Sequence, residues 1–219
     1  MTRAELKTLI LSWLDDPNGG YFTDANLNVW INNAQRQVQR RLIQAGELYY
    51  AIEVQTPTVA NTNEYQLPED YLRHHRMDLI LSGTFPNQQI ITLKGVTPIQ
   101  STNFPQGTGC PQAYYMKQDS FVLLKCPDQV YTVSLLYSYL VADLASDLES
   151  PDVPTQYQEM VAILALMDGF LKDQRNPAPM FQTKLDYYEK LMIQDAQDRA
   201  VDSPREVVVT QDYFGYYGY

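Results

Sequence analysis

The amino-acid sequence predicts an α+β fold: an antiparallel bundle of four long helices from the two ends of the chain, with a β-rich insertion between helices 2 and 3 and an extended C-terminal tail. Two observations predict it. Apolar residues recur with helical spacing near both ends of the 219-residue chain, whereas the middle has short runs of Val, Ile, Tyr and Thr separated by Pro, Gly and Asn. We therefore expect helices 1 and 2 in residues 1–47, the insertion in 48–140, helices 3 and 4 in 141–200, and the tail in 201–219.

The first two helices are the clearest elements of the sequence. Thr2 and Glu5 have the spacing of a capping box, and a single apolar stripe follows them up to a Pro/Gly turn at residues 15–20. The second helix begins at Thr23, and Gly46 is expected to end it. Its buried face is predicted to contain Leu27, Ile31, Ala34, Val38 and Leu42, and its amide-rich polar face Asn32, Asn33, Gln35, Arg36, Gln39 and Arg40.

The middle of the chain predicts a set of short strands. Residues with high strand propensity are concentrated near Tyr49–Thr56, Gln89–Lys94, Ala113–Lys117, Phe121–Cys126 and Tyr131–Leu140. Asp119 and Ser120 predict a hairpin tip between two of these runs. Residues 68–72 (PEDYL) predict the start of a short helix, because a proline leads and acids occupy the first turn.

Two further helices follow the strands. The third begins near Pro154 and ends near Lys172. It is apolar all round over residues 161–167, which predicts the central helix of the bundle, since such a surface must be covered on most sides. The Asn-Pro-Ala-Pro sequence at 176–179 separates it from a fourth helix, whose apolar face is predicted to contain Phe181, Leu185, Tyr188 and Met192.

The residues after Pro204 predict a segment that binds a partner. Three consecutive valines have high strand propensity, and the last seven residues contain five aromatic side chains. We expect the valines to add a strand to a sheet edge of another subunit and the aromatic side chains to anchor it. Folding back on its own domain, or disorder, remains the alternative. The predicted partner-binding residues are Val207, Val208, Val209, Tyr213, Phe214, Tyr216, Tyr217 and Tyr219.

Charge and composition restrict the function classes. The formal net charge is −10, so the chain is repelled by phosphate and a simple DNA- or RNA-binding domain is disfavoured. No apolar stretch has the length of a transmembrane helix, and no membrane partner is expected. Cys110 and Cys126 match no zinc or disulfide pattern. Arg36, Arg40 and Arg41 cluster on the second helix and are the predicted subunit-interface residues.

No arrangement of residues predicts catalysis. His74 and His75 are the only histidines, and they have no Cys or His partner at a metal-binding offset. Glycine-rich phosphate loops and nucleophile elbows are absent from the sequence. The acids of residues 143–152 lack the spacing of a calcium loop and indicate a solvated linker with Asp152 as a helix cap. We therefore expect no enzyme activity, no metal and no cofactor.

Five stretches of the chain carry a family resemblance: NLNVWINNAQRQVQRRLIQAG, NEYQLPEDYLRHHRMDLI, GCPQAYYMKQDSFVLLKCPDQVYTVSLLYSYLVADL, PTQYQEMVAILALMDGFLKD and FQTKLDYYEKLMIQDAQDRA. In this order they resemble the head–tail adaptor (connector) proteins of tailed bacteriophages, and are similar to the portal-docking, tail-tubular-type adaptors of short-tailed phages. The resemblance covers residues 1 to about 200. It does not extend to the aromatic C-terminal sequence.

The resemblance implies a structural virion protein at the head–tail junction, synthesised in the host cytoplasm. It implies a homo-oligomeric ring, usually of twelve copies, that docks under the portal protein, extends the DNA channel and forms a platform for a tail or nozzle protein. Double-stranded DNA would pass through without sequence-specific binding, because an acidic wall repels its phosphates. The alternative is a tail or fibre component whose tyrosine-rich β module, residues 48–140, binds a cell-surface glycan.

Overall fold

The computed structural model describes residues 1–16, 18–46, 48–82, 89–105 and 107–201. The helices are α1 Arg3–Trp13, α2 Asp24–Ala45, α3 Gln158–Lys172 and α4 Pro179–Val201. The strands are β1 Ala51–Pro57, β2 Glu64–Gln66, β3 Tyr71–Ser82, β4 Gln89–Thr92, β5 Lys94–Gly95, β6 Ala113–Met116, β7 Ser120–Leu124 and β8 Thr132–Tyr139. Two short 3₁₀ helices lie at Gln100–Asn103 and Thr155–Tyr157.

The protein is α+β, but the expected bundle of four long helices is wrong. α1 has only 11 residues and α3 has 15, and the strands between α2 and α3 form two four-stranded sheets. The helices also bury part of their apolar surface against residues outside any helix, namely Tyr50, Val141, Leu144 and Val153. Apolar spacing identifies the buried face of each helix, but it does not require that other helices cover it.

The ends of α1 and α2 follow the local sequence. Thr2 and Glu5 form the predicted capping box, in which Thr2 Oγ1 accepts from Glu5 N (3.3 Å) and Glu5 Oε2 accepts from Thr2 N (2.9 Å). Gly46 ends α2 with a φ of +98°, a left-handed conformation that glycine adopts without strain. Between the helices, the Asp16 carboxylate accepts hydrogen bonds from three backbone N–H groups in residues 20–22. These bonds lower the pKa of Asp16, with the Phe22 N–H as the largest cause.

The strands form a two-sheet sandwich. The strand order is β1-β8-β3-β4 in the first sheet and β2-β7-β6-β5 in the second. All pairs in the first sheet are antiparallel, whereas β5 and β6 in the second are parallel. Side chains from both sheets share one hydrophobic core, whose buried members are Met77, Leu79, Leu93, Tyr114, Phe121, Leu123, Tyr131, Val133, Leu135 and Tyr137.

Most of the predicted strands are confirmed. The five predicted runs correspond to β1, β4, β6, β7 and β8. The predicted hairpin joins β6 and β7, with Asp119 in its turn and Ser120 as the first residue of β7. The short helix predicted at residues 68–72 is wrong. A turn closed by Tyr71 N and Pro68 O (3.0 Å) leads directly into β3, because the pairing of β3 with both β8 and β4 outweighs the helix-start signal.

A second hydrophobic core lies among the four helices and is separate from the core of the sandwich. α3 is at its centre, as the sequence predicts, since every residue from Met160 to Leu166 is buried. The division of the chain at residues 47, 140 and 200 stays a prediction. The predicted partner-binding residues between 207 and 219 lie outside the described residues.

Candidate interaction surfaces

Buried amide side chains on α2 fix the connector, which we define as residues 140–153 between β8 and α3. Gln35 and Gln39 are fully buried, although the sequence pattern predicts a polar face for them. Each glutamine accepts from one backbone N–H and donates to one backbone C=O. The bonded groups are Val141 N and Tyr139 O for Gln39 (3.3 and 2.6 Å), and Asp152 N and Ala142 O for Gln35 (3.1 and 2.8 Å). The glutamines thus satisfy backbone groups that lack partners in a regular element.

Two buried cations on α1 hold the same connector. Arg3 and Lys7 are each 7% exposed, and both contact the Asp147 carboxylate, at 2.7 and 2.8 Å. Arg3 Nη1 also donates to Leu144 O at 2.6 Å. The hydrogen bonds from Lys7 and then Arg3 lower the pKa of Asp147. Most of residues 143–152 are exposed, as expected for a solvated linker, but the segment is also tied to α1 and α2 by these bonds.

The other acids of the connector are also bound within the chain. Glu149 Oε2 accepts from Ala145 N at 2.7 Å. The sequence predicts that Asp152 caps a helix, and this is wrong. The Asp152 carboxylate instead accepts a hydrogen bond from the Tyr139 hydroxyl at 2.7 Å. The connector therefore joins the helices to the sandwich through fixed contacts.

The three arginines predicted at a subunit interface have different surroundings. Arg36 forms an ion pair with Asp143 of the connector, and Arg41 forms one with Glu189 of α4. Arg40 is exposed and forms no ion pair with the residues that the structure describes. Two of the three arginines thus form ion pairs within the subunit itself. Arg40 remains the candidate for contact with a partner.

α4 carries apolar side chains on two sides. Of its predicted apolar face, Phe181, Leu185 and Met192 are buried in the helical core, and Tyr188 is partly buried against it. Elsewhere on the helix, Tyr187 and Ile193 are 60% and 50% exposed. Ile193 borders a groove of about 370 Å³ between α2 and α4, which is lined by Arg41, Gln44, Ala45, Glu189, Met192 and Ile193. Exposed apolar side chains beside a groove are typical of a protein–protein contact surface.

The strand β1 presents an edge of the sandwich that is free among the described residues. It lies at the end of the first sheet, and within the described ranges its one strand partner is β8. The backbone hydrogen bonds that border it are Tyr139 N to Tyr50 O (3.1 Å) and Thr58 N to Tyr131 O (2.8 Å). Because antiparallel pairing alternates, the even-numbered residues direct their backbone groups to β8. Glu53 and Gln55 therefore direct their N–H and C=O groups away from the sheet.

The two histidines are adjacent on β3 and have different partners. His74 Nε2 and the Tyr114 hydroxyl of β6 form a hydrogen bond that links the two sheets, whereas His75 Nε2 bonds Ser138 Oγ of β8 at 2.6 Å. Burial lowers the pKa of both imidazoles. Within residues 1–201, as far as the structure describes them, no group of three or more His, Cys, Asp or Glu could hold a metal ion. No helix in the described ranges is long and apolar enough to span a membrane.

The model of the SU10 adaptor protein family matches residues 1–209, nearly the whole chain. The chain belongs to the SU10 adaptor protein family. A comparison with curated proteins gives no match. The family match makes this protein a phage structural adaptor and a component of the virion. It confirms the adaptor class that the five sequence stretches indicate. The portal-docking subtype of short-tailed phages stays a prediction.

The residues of the adaptor that sequence reasoning missed are those that hold the connector. Gln35 and Gln39 are four residues apart and lie beside the apolar stripe of α2, which was the available signal for burial. Arg3 and Lys7 have the same spacing on α1. The acceptors of these four side chains are at least 100 residues away in the sequence, so no local pattern identifies the pairing.

Proposed function

We propose that this adaptor forms a ring that docks under the portal protein, extends the DNA channel and provides the platform for a tail or nozzle protein. The observation that carries the proposal is the adaptor family match over residues 1–209. The fold supports it in a specific way. The connector is bonded to α1, α2 and β8, so the helices and the sandwich are firmly joined and can each present a surface to a different partner.

The exposed apolar residues favour a subunit of a larger assembly. They occur on α4 and also on the sandwich, where Val59 and Val130 are 60% and 65% exposed. A ring subunit has neighbours on both sides, and a portal or tail component covers further surface. Three of the tyrosines in residues 48–140, Tyr114, Tyr131 and Tyr137, are buried in the sandwich core, which reduces the tyrosine surface that the alternative function would offer to a glycan.

The charge of the adaptor fits a channel through which DNA slides. Copies with a net charge of −10 repel a duplex instead of binding it. We propose that acids of α4 or of the sandwich line this channel. Asp186 is an exposed acid of α4, and its replacement by lysine is expected to slow genome passage by adding attraction to phosphate.

The aromatic C-terminal sequence provides the direct test of portal docking. We expect the replacement of Tyr213, Phe214, Tyr216, Tyr217 and Tyr219 by alanine to weaken binding to the portal by at least tenfold, since buried aromatic residues dominate binding energy at interfaces. The matched control is Gly215→Ala with Gly218→Ala, which keeps every aromatic ring. Mass photometry of the adaptor alone and mixed with the portal measures both ring size and binding. Unchanged portal binding by the chain with these five alanine replacements would contradict the proposal.

A further inference from the structure

We propose that residues 205–210 (REVVVT) of one copy pair with the free edge of β1 in a second copy. The proposal rests on the adaptor ring of the proposed function, because a ring places identical copies side by side. Each copy would donate its segment to the next, and the rotation between copies would close the circle. The sandwich of each subunit would then be completed by the chain of its neighbour.

β1 is the edge best suited to receive a strand. The other strands at sheet ends are shorter: β2 has three residues, β4 has four and β5 has two, whereas β1 has seven. Glu53 and Gln55, near its centre, direct N–H and C=O groups outward. The Glu53 carboxylate accepts a hydrogen bond from Ser134 Oγ of β8, so it is held toward the sheet. Such an edge is a template for pairing with another chain.

The segment that we assign to this edge has the matching properties. Its three valines and its threonine have the highest strand propensities, and every residue from Arg205 to Thr210 has a backbone N–H to donate. Pro57 ends β1, so the edge offers about the same length as the six-residue segment. The nine residues that follow Val201 up to Thr210 reach roughly 30 Å when extended. That length is sufficient to pass from one subunit to the surface of an adjacent one.

The direction of the chain favours a second copy over the subunit's own β1. The C-terminal half of α4 lies beside the end of α2, the helix that precedes β1 in the chain, since Arg41 contacts Glu189. Asp195 also contacts Tyr157, just before α3, at 2.6 Å. Only three residues separate Val201 from Arg205. Within one subunit the segment would therefore run in the same direction as β1, and the pairing would be parallel.

Pairing between copies has no such restriction. Every pair in the sheet that contains β1 is antiparallel, and antiparallel pairs are slightly more stable per residue than parallel ones. A segment that arrives from a neighbouring copy can approach from the far end of β1 and continue the antiparallel pattern. The same edge then gains a hydrogen-bonded partner on its outer side.

Disulfide trapping tests the pairing directly. Cys110 and Cys126 are both free and are replaced by serine in all chains. A chain with Gln55→Cys is mixed with a chain carrying Val208→Cys or, because the register is open, Val207→Cys, and the mixture is oxidised. Directly opposed residues in a sheet lie about 4.5–5.5 Å apart at Cα, which permits a disulfide. The matched control is Gln118→Cys, an exposed glutamine at the β6–β7 turn of the other sheet.

We expect a covalent mixed dimer from Gln55→Cys with one of the valine positions, in at least tenfold excess over the dimer from Gln118→Cys. Equal yields from the two glutamine positions would overturn the proposal. A chain that carries both Gln55→Cys and Val208→Cys gives a further outcome. If its disulfide forms only within a single chain, the segment pairs with the subunit's own strand and the proposal is overturned.

Hydrogen exchange gives a second readout that needs no cysteine. In the assembled full chain, the amides of Glu53 and Gln55 are expected to exchange at least about tenfold more slowly than in a V207P/V208P chain, because proline removes the donors of the added strand. Val208→Thr, which keeps strand propensity, is the control. Unchanged exchange at both amides would overturn the proposal. If rings still form and bind the portal in that case, the proposed function stands without this pairing. If the unmodified chain itself forms no ring and does not bind the portal, the proposed function is contradicted instead.

Discussion

A few buried polar side chains decide how the two cores of this adaptor are joined. Gln39 is the clearest case, since its amide bonds the C=O of Tyr139 at the end of β8 and the N–H of Val141 in the connector, and it has no exposed surface. The helix around it would form without this residue. Its contribution is to the position of the connector, because an unpaired buried backbone group costs free energy.

Replacement of Gln39 by leucine tests this role. The leucine fills a similar volume but leaves Tyr139 O and Val141 N without their partner. We expect the free energy of unfolding to fall by about 2 kcal/mol. Gln44→Leu is the matched control, because Gln44 is exposed on the same helix, and its effect should stay within about 0.5 kcal/mol. Urea denaturation followed by circular dichroism measures both, and similar losses in the two variants would contradict the assigned role.

The histidines predict how stability depends on pH. Burial holds the pKa of His74 and of His75 below the usual 6.5 in the folded protein. The unfolded chain therefore binds more protons than the folded one as the pH falls through about 6.5, and folding becomes less stable. We expect the urea midpoint at pH 5 to be lower than at pH 7. The carboxyl of Asp147, with its lowered pKa, titrates below this range.

Substitution identifies the groups responsible. His74→Gln should reduce the difference in urea midpoint between pH 7 and pH 5, and the H74Q/H75Q double variant should reduce it further. A double variant that retains the full difference would show that other groups cause it.

At the scale of elements, the sequence predicts what local patterns control. The capping box at Thr2 and the left-handed glycine at Gly46 set the ends of α1 and α2 as expected. β3 was missed because its apolar alternation is confined to its second half, at Met77 and Leu79, while its first half reads Arg-His-His-Arg. Pairing with strands on both sides supplies the stability that local preference does not.

The residues that hold the connector show the same limit. The burial of Gln35 is compatible with its position beside an apolar stripe, but its partners at residues 142 and 152 are set by the tertiary fold. The predicted subunit-interface set illustrates this further, since Arg36 and Arg41 have acidic partners within the chain. A sequence pattern gives the face on which a side chain lies, and the fold determines what it meets there.

The end of α2 gives a prediction for an element. Gly46 has a φ of +98°, and no atom lies within 4 Å of the position that a Cβ would occupy. The cost of Gly46→Ala is therefore that of backbone conformation alone, about 1 kcal/mol. Gly46→Asn should cost less than half as much, since asparagine tolerates the left-handed region. Thermal unfolding measures the two, and an alanine variant as stable as the parent would contradict the C-cap assignment.

At the scale of the whole molecule, the adaptor combines a helical layer and a sandwich with a net charge of −10. Identical acidic copies repel one another when they are placed side by side, so the ring that we propose requires local attraction at its contacts. Arg40 is the exposed, unpaired member of the predicted interface set among the described residues. It is suited to contact the acidic surface of the next copy.

We expect Arg40→Glu to weaken ring assembly by about fivefold, which corresponds to roughly 1 kcal/mol per contact, while the free energy of unfolding changes by less than about 0.5 kcal/mol. The matched control is Lys94→Glu, which changes the net charge equally at an exposed residue of β5. Analytical ultracentrifugation over a concentration series gives the assembled fraction of each variant. If Arg40 contacts the next copy, Arg40→Glu lowers the assembled fraction more than Lys94→Glu does. The difference between the two variants then becomes smaller when the salt concentration is raised from about 0.05 to 0.3 M. If both variants lose the same fraction at every salt concentration, net charge alone sets the assembly, and Arg40 makes no contact with a neighbouring subunit.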